Sequence, residues 1–323
     1  MTSILNFVDY YLGNLFRRMF GKRTKDVQYR RLLRKILKEG EEVLTPQGER
    51  ALMLIGQQMR FNFKNGIPVI TERDVLTSAT LGGLSGIQAA IAEITAFMNG
   101  ATTHEELKKF GCNWWKRWTS KEYLEHCGLD LKEGELGPGS YGAGFHHFPT
   151  SEGIPFNQMK HVIEQIKELP YLRTHAITTW IPQYQGRGEG KKRQVAVAPC
   201  HGTFLHFLVD TKKGEISLHH LQRSADAPVG LVWNLIQYSA LLLMAAHVTG
   251  YTPKELVYTV SDAHIYASQI PEVKELLKTR IGIFPDLIIT SPEIKDIFDF
   301  RHNDFAVVGY RPMAKRRKIW TPT

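Results

Sequence analysis

The order of strand-like and helical segments constrains this chain more than any single residue does. Apolar, β-rich runs at 51–55 (Ala-Leu-Met-Leu-Ile), 175–180, 195–198, 203–209, 216–221 and 285–290 read as strands. Helical spacing of apolar side chains governs about 4–20, 27–39, 85–99, 104–110, 156–168 and 231–249. The strands come in clusters and then yield to helices, without the regular alternation of a doubly wound nucleotide fold. That order predicts an α+β single domain built on one large mixed or antiparallel sheet with helices packed on it. Loops rich in Gly and Pro mark 133–144 and 186–190, and no internal repeat interrupts the pattern.

Composition narrows the class. The chain has 323 residues, 43% of them apolar and 11% aromatic, enough to bury a large core and too many for a disordered or collagen-like chain. No apolar run is expected to reach the roughly 20 residues of a membrane span. Cys112, Cys127 and Cys200, without close pairing, fit a reducing, cytoplasmic setting and exclude zinc-ribbon spacing. His146 and His147 could suggest a metal, but sequence neighbours point apart and no further ligand lies at useful spacing, so no metal is expected.

The net charge of +9 sits at the two ends. Residues 1–38 hold ten Lys/Arg and two Asp, and residues 311–323 add Arg311, Lys315, Arg316, Arg317 and Lys318 with no acid, so the body between is mildly acidic at −4. A body of that sign argues against a broad grip on a phosphate backbone. Residues 1–25 read as an amphipathic basic extension, with Ile4, Val8, Leu12, Leu15 and Met19 on one face and Asn6, Asp9, Arg17 and Arg18 on the other. Such a helix docks on its own core or meets a partner or membrane surface. A nucleic-acid-binding regulator is the non-enzyme alternative.

Two residues demand a chemical reason. Cys200, in Ala198-Pro199-Cys200-His201, follows the apolar run Val195-Ala196-Val197. Alone it is either a small buried hydrophobe or a nucleophile. As a nucleophile it needs nearby positive charge to hold the thiolate, lowering its pKa from about 8.5. Arg223, in Gln222-Arg223-Ser224-Ala225-Asp226, lies on the next strand pattern, and a hairpin-like return could bring it beside Cys200. Arg223 and Ser224 could also hold a phosphate. The second residue is Glu93, an acid amid Ile91, Ile94, Ala96 and Phe97 that needs a reason for burial.

Taken in order, Pro199-Cys200-His201, Gln222 to Asp226, Gly230-Leu231-Val232-Trp233-Asn234 and Asp262-Ala263-His264-Ile265-Tyr266 resemble the thymidylate synthase family. The first half agrees: Gly56 to Phe63 resembles that family's first strand, and Glu93 with Phe97 and Gly100 its glutamate helix. Trp115 and Trp118 match its tryptophan pair, and Leu136-Gly137-Pro138 with Tyr141-Gly142 its Gly-Pro-Tyr-Gly loop. The resemblance spans about residues 27–310. It divides the chain into the extension 1–25, a catalytic domain 26–310 and a basic tail 311–323.

The resemblance implies methylation of dUMP at C5, with the reduced folate 5,10-methylenetetrahydrofolate as cosubstrate giving carbon and hydride. Cys200 would add at C6, and Tyr141 with a water held by Glu93 would remove the C5 proton. Arg223 and Asp226 complete the implied catalytic set. Asn234 would read the uracil edge, His264 and Tyr266 the sugar hydroxyl, and Arg223, Ser224 and a homodimer partner's Arg173 the phosphate. Asp226, Trp115, Trp118, Trp233 and Gly230 would bind the folate. In isolation each has a plainer reading: Asn234 a helix cap, His264 a satisfied core residue, Trp115 plain core, Glu93 a structural acid.

Four departures stand out. Pro46 stands where the family carries a phosphate-loop arginine, with Arg50 a possible substitute. The usual arginine pair reads Arg173-Thr174. A loop at 74–88 looks inserted. The chain runs Lys315 to Thr323 in place of a short apolar closing segment. Water reaching the exocyclic methylene would give a hydroxymethyl product, so a pyrimidine 5-hydroxymethyltransferase is the alternative reading.

Overall fold

The computed structural model describes residues 2–76, 84–186, 192–315 and 317–322, without the side chains of residues 2–9. Ile4, Val8, Asn6 and Asp9 as face-formers, residues 77–83 of the inserted loop, 187–190 of the Gly-rich loop, Arg316 and Thr323 therefore lie outside the described residues. The helices are α1 (Thr2–Met19), α2 (Gln28–Glu39), α3 (Gly86–Met98), α4 (His104–Lys109), α5 (Lys121–His126), α6 (Tyr141–His146), α7 (Gln158–Glu168), α8 (Pro182–Gln185), α9 (Gly230–Thr249) and α10 (Ile270–Leu276). The strands are β1 (Glu41–Leu44), β2 (Arg50–Asn62), β3 (Ala176–Ile177), β4 (Phe204–Asp210), β5 (Glu215–Asp226), β6 (Thr252–Tyr266), β7 (Asp286–Ile289) and β8 (Phe305–Val308).

Six strands form one sheet in the order β1-β2-β6-β5-β4-β3, and β7 pairs with β8 separately. Every neighbour in the large sheet is antiparallel except β5 and β6, which run parallel. The fold is therefore α+β on a large mixed sheet, as expected. Alternation decides its faces: Ile216, Leu218, His220 and Gln222 of β5 and Leu256, Tyr258 and Val260 of β6 are buried. On the other face Ile55, Phe204 and Leu208 stay exposed in the single chain.

The central helices α3 and α9 pack on each other, and α9 lies over β5 and β6. α3 starts at a capping box, with Ser85 Oγ accepting from Gln88 N–H and the Gln88 side chain accepting from Ser85 N–H. α9 is apolar all round, and each fully buried leucine such as Leu235, Leu241 or Leu242 contributes about 1.5–3 kcal/mol. The expectation that no segment reaches span length is corrected here. α9, at 20 residues, is long and apolar enough to cross a bilayer, but 83% of its span-length window is buried inside the fold.

Strand expectations also needed correction. Residues 195–198 are irregular: Val195 and Ala196 are apolar because they are buried, and Ala196 N–H bonds Leu136 O instead of a ladder partner. The run at 175–180 shrinks to Ala176–Ile177. β6, the longest strand, was not foreseen, because Pro253 at its start and polar Asp262 and His264 at its end mask its inward Leu256, Tyr258 and Val260. Part of the loop 133–144 is helical, beginning α6 at Tyr141. Gly142 is required there, since a Cβ would lie 2.1 Å from Ala101 O.

Over its described side chains, α1 docks with the turn after it through polar groups. Arg18 Nε bonds Asp286 at 3.1 Å, Arg23 meets the same carboxylate at 2.6 Å, and Tyr11 Oη accepts from Ile289 N–H. Leu12, Leu15, Phe16 and Met19 face solvent, the reverse of a helix seated by its apolar stripe.

Candidate active site

A break in the sheet positions the cysteine. The β2–β6 ladder runs through Ile55–Asp262 and resumes at Gln57–Val260, while β5–β6 passes from Gln222–Val260 to Ser224–Asp262. Gly56, Ser261 and Arg223 drop out on one line, and Gly56 takes a left-handed φ of 63° there. Freed from its ladder, Arg223 N–H donates to Cys200 O at 2.8 Å. The expected approach of Arg223 to Cys200 is thus real.

Cys200 N–H donates to Tyr141 Oη at 2.8 Å, and the same oxygen lies 3.3 Å from Cys200 Sγ. The amide occupies a lone pair of the phenol, which leaves its proton available to the sulfur. Tyr141 is held between Phe97 and His201, with ring centroids at 4.6 and 4.3 Å. Burial pushes His201 down to about 3, so its imidazole is neutral, and its Nδ1 lies 2.7 Å from Tyr238 Oη. The positive charge near the thiol therefore comes from Arg223, whose exposed side chain donates from Nε to Pro199 O and lies over Trp180. The expectation of a depressed thiol is corrected: burial pushes Cys200 above its ordinary value, and Tyr141 and Arg223 draw it only part of the way back.

Glu93 has its reason for burial. Oε1 accepts from Trp114 Nε1 at 2.5 Å and from Trp115 Nε1, and Oε2 accepts from Gln237 Nε2. Burial raises its pKa, and these three donors oppose the rise. Trp118 lies beside Trp115, edge-on to its ring at 5.6 Å, and Trp114 takes the second indole bond to Glu93. Trp233 lies beside Trp114, with centroids 6.4 Å apart. Asn234 is buried, with its Oδ1 accepting from Gln222 and its Nδ2 donating to Gln237. It is not a helix cap.

The Ser224 hydroxyl donates to Asp262 Oδ2 at 2.6 Å. Parallel pairing sets Ser224 opposite Asp262 and Asp226 opposite His264, contacts that require the unforeseen β6. Asp262 Oδ1 lies 3.0 Å from His264 Nδ1, and Tyr266 meets the His264 ring edge-on. Burial would raise Asp262, but bonds from His264 and Ser224 hold it below the usual carboxylate range. Arg50, the possible substitute for the missing loop arginine, is exposed and pairs with Glu42 on the surface at 2.6 Å. Arg173 is exposed, and among the described residues its guanidinium makes no hydrogen bond or ion pair; only its carbonyl is engaged, by His206. The His146 and His147 rings do not point apart as expected but lie tilted at 60° with centroids 4.5 Å apart, and among the described residues no third ligand joins them.

The C-terminal segment reaches this site. Met313 N–H bonds Thr71 O, Arg73 holds Arg317 O, and Arg317 pairs with Glu272 at 2.6 Å. Ile319 is buried, and Thr321 Oγ1 donates to Asp226 Oδ2 at 2.8 Å. The tail is basic in sequence yet seats an apolar side chain as a closing segment would. Asp226 also accepts from Gln269 Nε2 and Val229 N–H, and Gly230 opens α9 beside it.

Thiol, phenol, arginine and a caged acid thus meet in one site. A family model described as thymidylate synthase matches residues 27–319. The chain is also 32% identical over 307 residues to the bifunctional dihydrofolate reductase-thymidylate synthase of Zea mays, an alignment covering 92% of this chain and 55% of that relative. The chain spans about half the length of this curated relative. It belongs to the thymidylate synthase family.

Proposed function

We propose that the protein methylates dUMP to dTMP, taking both carbon and hydride from 5,10-methylenetetrahydrofolate. The observation that carries this reading is the Cys200 sulfur 3.3 Å from the Tyr141 hydroxyl with Arg223 N–H on its own carbonyl. Addition of Cys200 at C6 makes C5 nucleophilic toward the folate methylene. Glu93, through water, and Tyr141 then serve removal of the C5 proton. Asn234 keeps one N–H and one lone pair for the uracil edge, and His264 and Tyr266 serve the sugar.

The phosphate is assigned to Arg223 and to Arg173 of a second copy. The exposed apolar face of the sheet around Phe204 and Leu208, and the unpaired Arg173, favour that homodimer. The docked tail favours methyl over hydroxymethyl, because cover over Asp226 keeps water from the methylene until hydride arrives.

The test incubates the protein with dUMP and methylenetetrahydrofolate and identifies both products by mass spectrometry, with Cys200→Ser as control. Thymidylate with dihydrofolate from wild type and nothing from the variant is expected. Hydroxymethyl-dUMP with tetrahydrofolate would replace this reading by the hydroxymethylase, and no product from the folded protein would reject both. Asn234→Asp should move preference from dUMP toward dCMP, and an unchanged ratio would count against its role.

A further inference from the structure

Gln237 lies on α9 one turn beyond Asn234, is fully buried, and belongs to none of the motifs above. Its single amide touches two groups of the site. Oε1 accepts from Asn234 Nδ2 at 2.9 Å, and Nε2 donates to Glu93 Oε2.

The direction of these bonds is determined from both ends. At one end, Gln222 Nε2 donates to Ser224 O at 2.8 Å and to Asn234 Oδ1 at 3.0 Å. A backbone carbonyl can only accept, so Gln222 must present nitrogen there. Asn234 then presents oxygen to Gln222 and nitrogen to Gln237. Gln237 in turn presents oxygen to Asn234 and nitrogen to Glu93. At the other end, ionised Glu93 can only accept, and Trp114 and Trp115 already donate to its other oxygen. Tyr258 Oη closes the chain on Gln222 Oε1. Reversing one amide would oppose like groups at its neighbours, so the whole series runs one way.

We propose that Gln237 is a positioning residue that orients Asn234 and Glu93 together, so that the group reading the base and the group serving proton removal are set by one amide. The proposal rests on the functional reading above for what those two groups do. Removing Gln237 leaves the Asn234 amide held by Gln222 alone, which lowers the cost of the turned form that exchanges donor for acceptor at the base edge. It also takes one of three donors from the Glu93 carboxylate. Among the described residues, the other titratable groups that feel Glu93 are Cys112, Cys200 and Tyr238, none of which bonds it.

The experiment uses Gln237→Leu and Gln237→Glu, the second keeping the shape of the side chain where the first impairs folding. Without substrate, the Trp114 and Trp115 indole N–H signals are followed against pH by nitrogen-15 NMR, assigned through Trp114→Phe and Trp115→Phe. With one donor gone, Gln237→Leu should raise the pH at which these signals titrate by about one unit or more. Gln237→Glu should split the titration into two coupled steps. With substrate, kcat should fall more than KM changes, the dUMP-over-dCMP preference should shrink about tenfold or more, and Gln237→Glu should regain activity as the pH falls. Unmoved indole titrations and an unchanged nucleotide preference in both variants would overturn the proposal. Absence of turnover in wild type would instead count against the functional reading, and the indole titration would still decide the role of Gln237.

Discussion

Glu93 and Asp226 are two acids that burial pushes above the ordinary carboxylate range, and each accepts from three donors, yet they are built differently. The donors of Glu93 are two indoles and an amide carried by packed segments of the core. Those of Asp226 are its own loop's Val229 N–H, the Gln269 amide and the Thr321 hydroxyl. Gln269 also holds Trp320 O at 2.7 Å, so one amide ties the acid to the tail. The surroundings of Glu93 are complete whenever the chain is folded. Those of Asp226 are complete only with the C-terminal segment seated. On the proposed function, the acid assigned to proton removal is thus caged by the core, and the acid assigned to the cosubstrate takes a donor from the C-terminal segment.

Replacing the caged acid should have the largest effect. Glu93→Gln turns an acceptor with no protons toward three donors into an amide that must oppose at least one of them. Turnover should fall by about 10²–10⁴, and stability in urea by about 1–3 kcal/mol. Asp226→Asn should leave stability closer to wild type, because its tail donor can turn to water; equal losses would break the comparison.

The same acid predicts a pH dependence of known sign. Burial makes folded Glu93 bind its proton more tightly than the unfolded chain does, so its contribution falls as pH rises above the unfolded value of about 4.3. The stability gap between wild type and Glu93→Gln should therefore be wider at pH 5 than at pH 8 in urea titrations.

Thr321→Val keeps the shape of the tail and removes one donor from Asp226. The acid limb of the pH–rate profile should move upward by no more than about one unit, while the indole signals around Glu93 stay unmoved. Motion of both would mean that the two acids share one environment. Smallest of all, Trp118→Phe should cost less than about 1 kcal/mol and change rates only a few-fold, because Trp118 packs on an indole without bonding the acid. Trp114→Phe, which loses a bond to Glu93, should cost more.

Much of the fold was legible where the signal was local. The all-apolar spacing of α3 and α9 marked them, and the Ser85 and Gln88 cap lies beside the helix it starts. The strand at 195–198 misled because burial, not pairing, made it apolar. β6 was missed because its C-terminal end is polar, with Asp262 and His264 bonded to each other. Missing β6 also hid Asp262 as the partner of Ser224. Nothing in the sequence marked Trp114 as the second donor to Glu93, since the i,i+3 spacing pairs Trp115 with Trp118 while adjacent residues point apart.

The sequence by itself determined which groups carry unmet chemical needs: an acid among aliphatic neighbours at Glu93, a lone thiol at Cys200, an arginine one strand later at Arg223, an amide opening a buried helix at Asn234. Each need is a property of a side chain and its immediate neighbours, so it can be read without a fold. Which partner meets it is decided by segments far apart in the chain. Gln237 reaches Glu93 across 144 residues, Thr321 reaches Asp226 across 95, and the parallel alignment of β5 with β6 joins Ser224 to Asp262. A hydrogen bond has a direction and a reach of about 3 Å, and only packed tertiary structure supplies either.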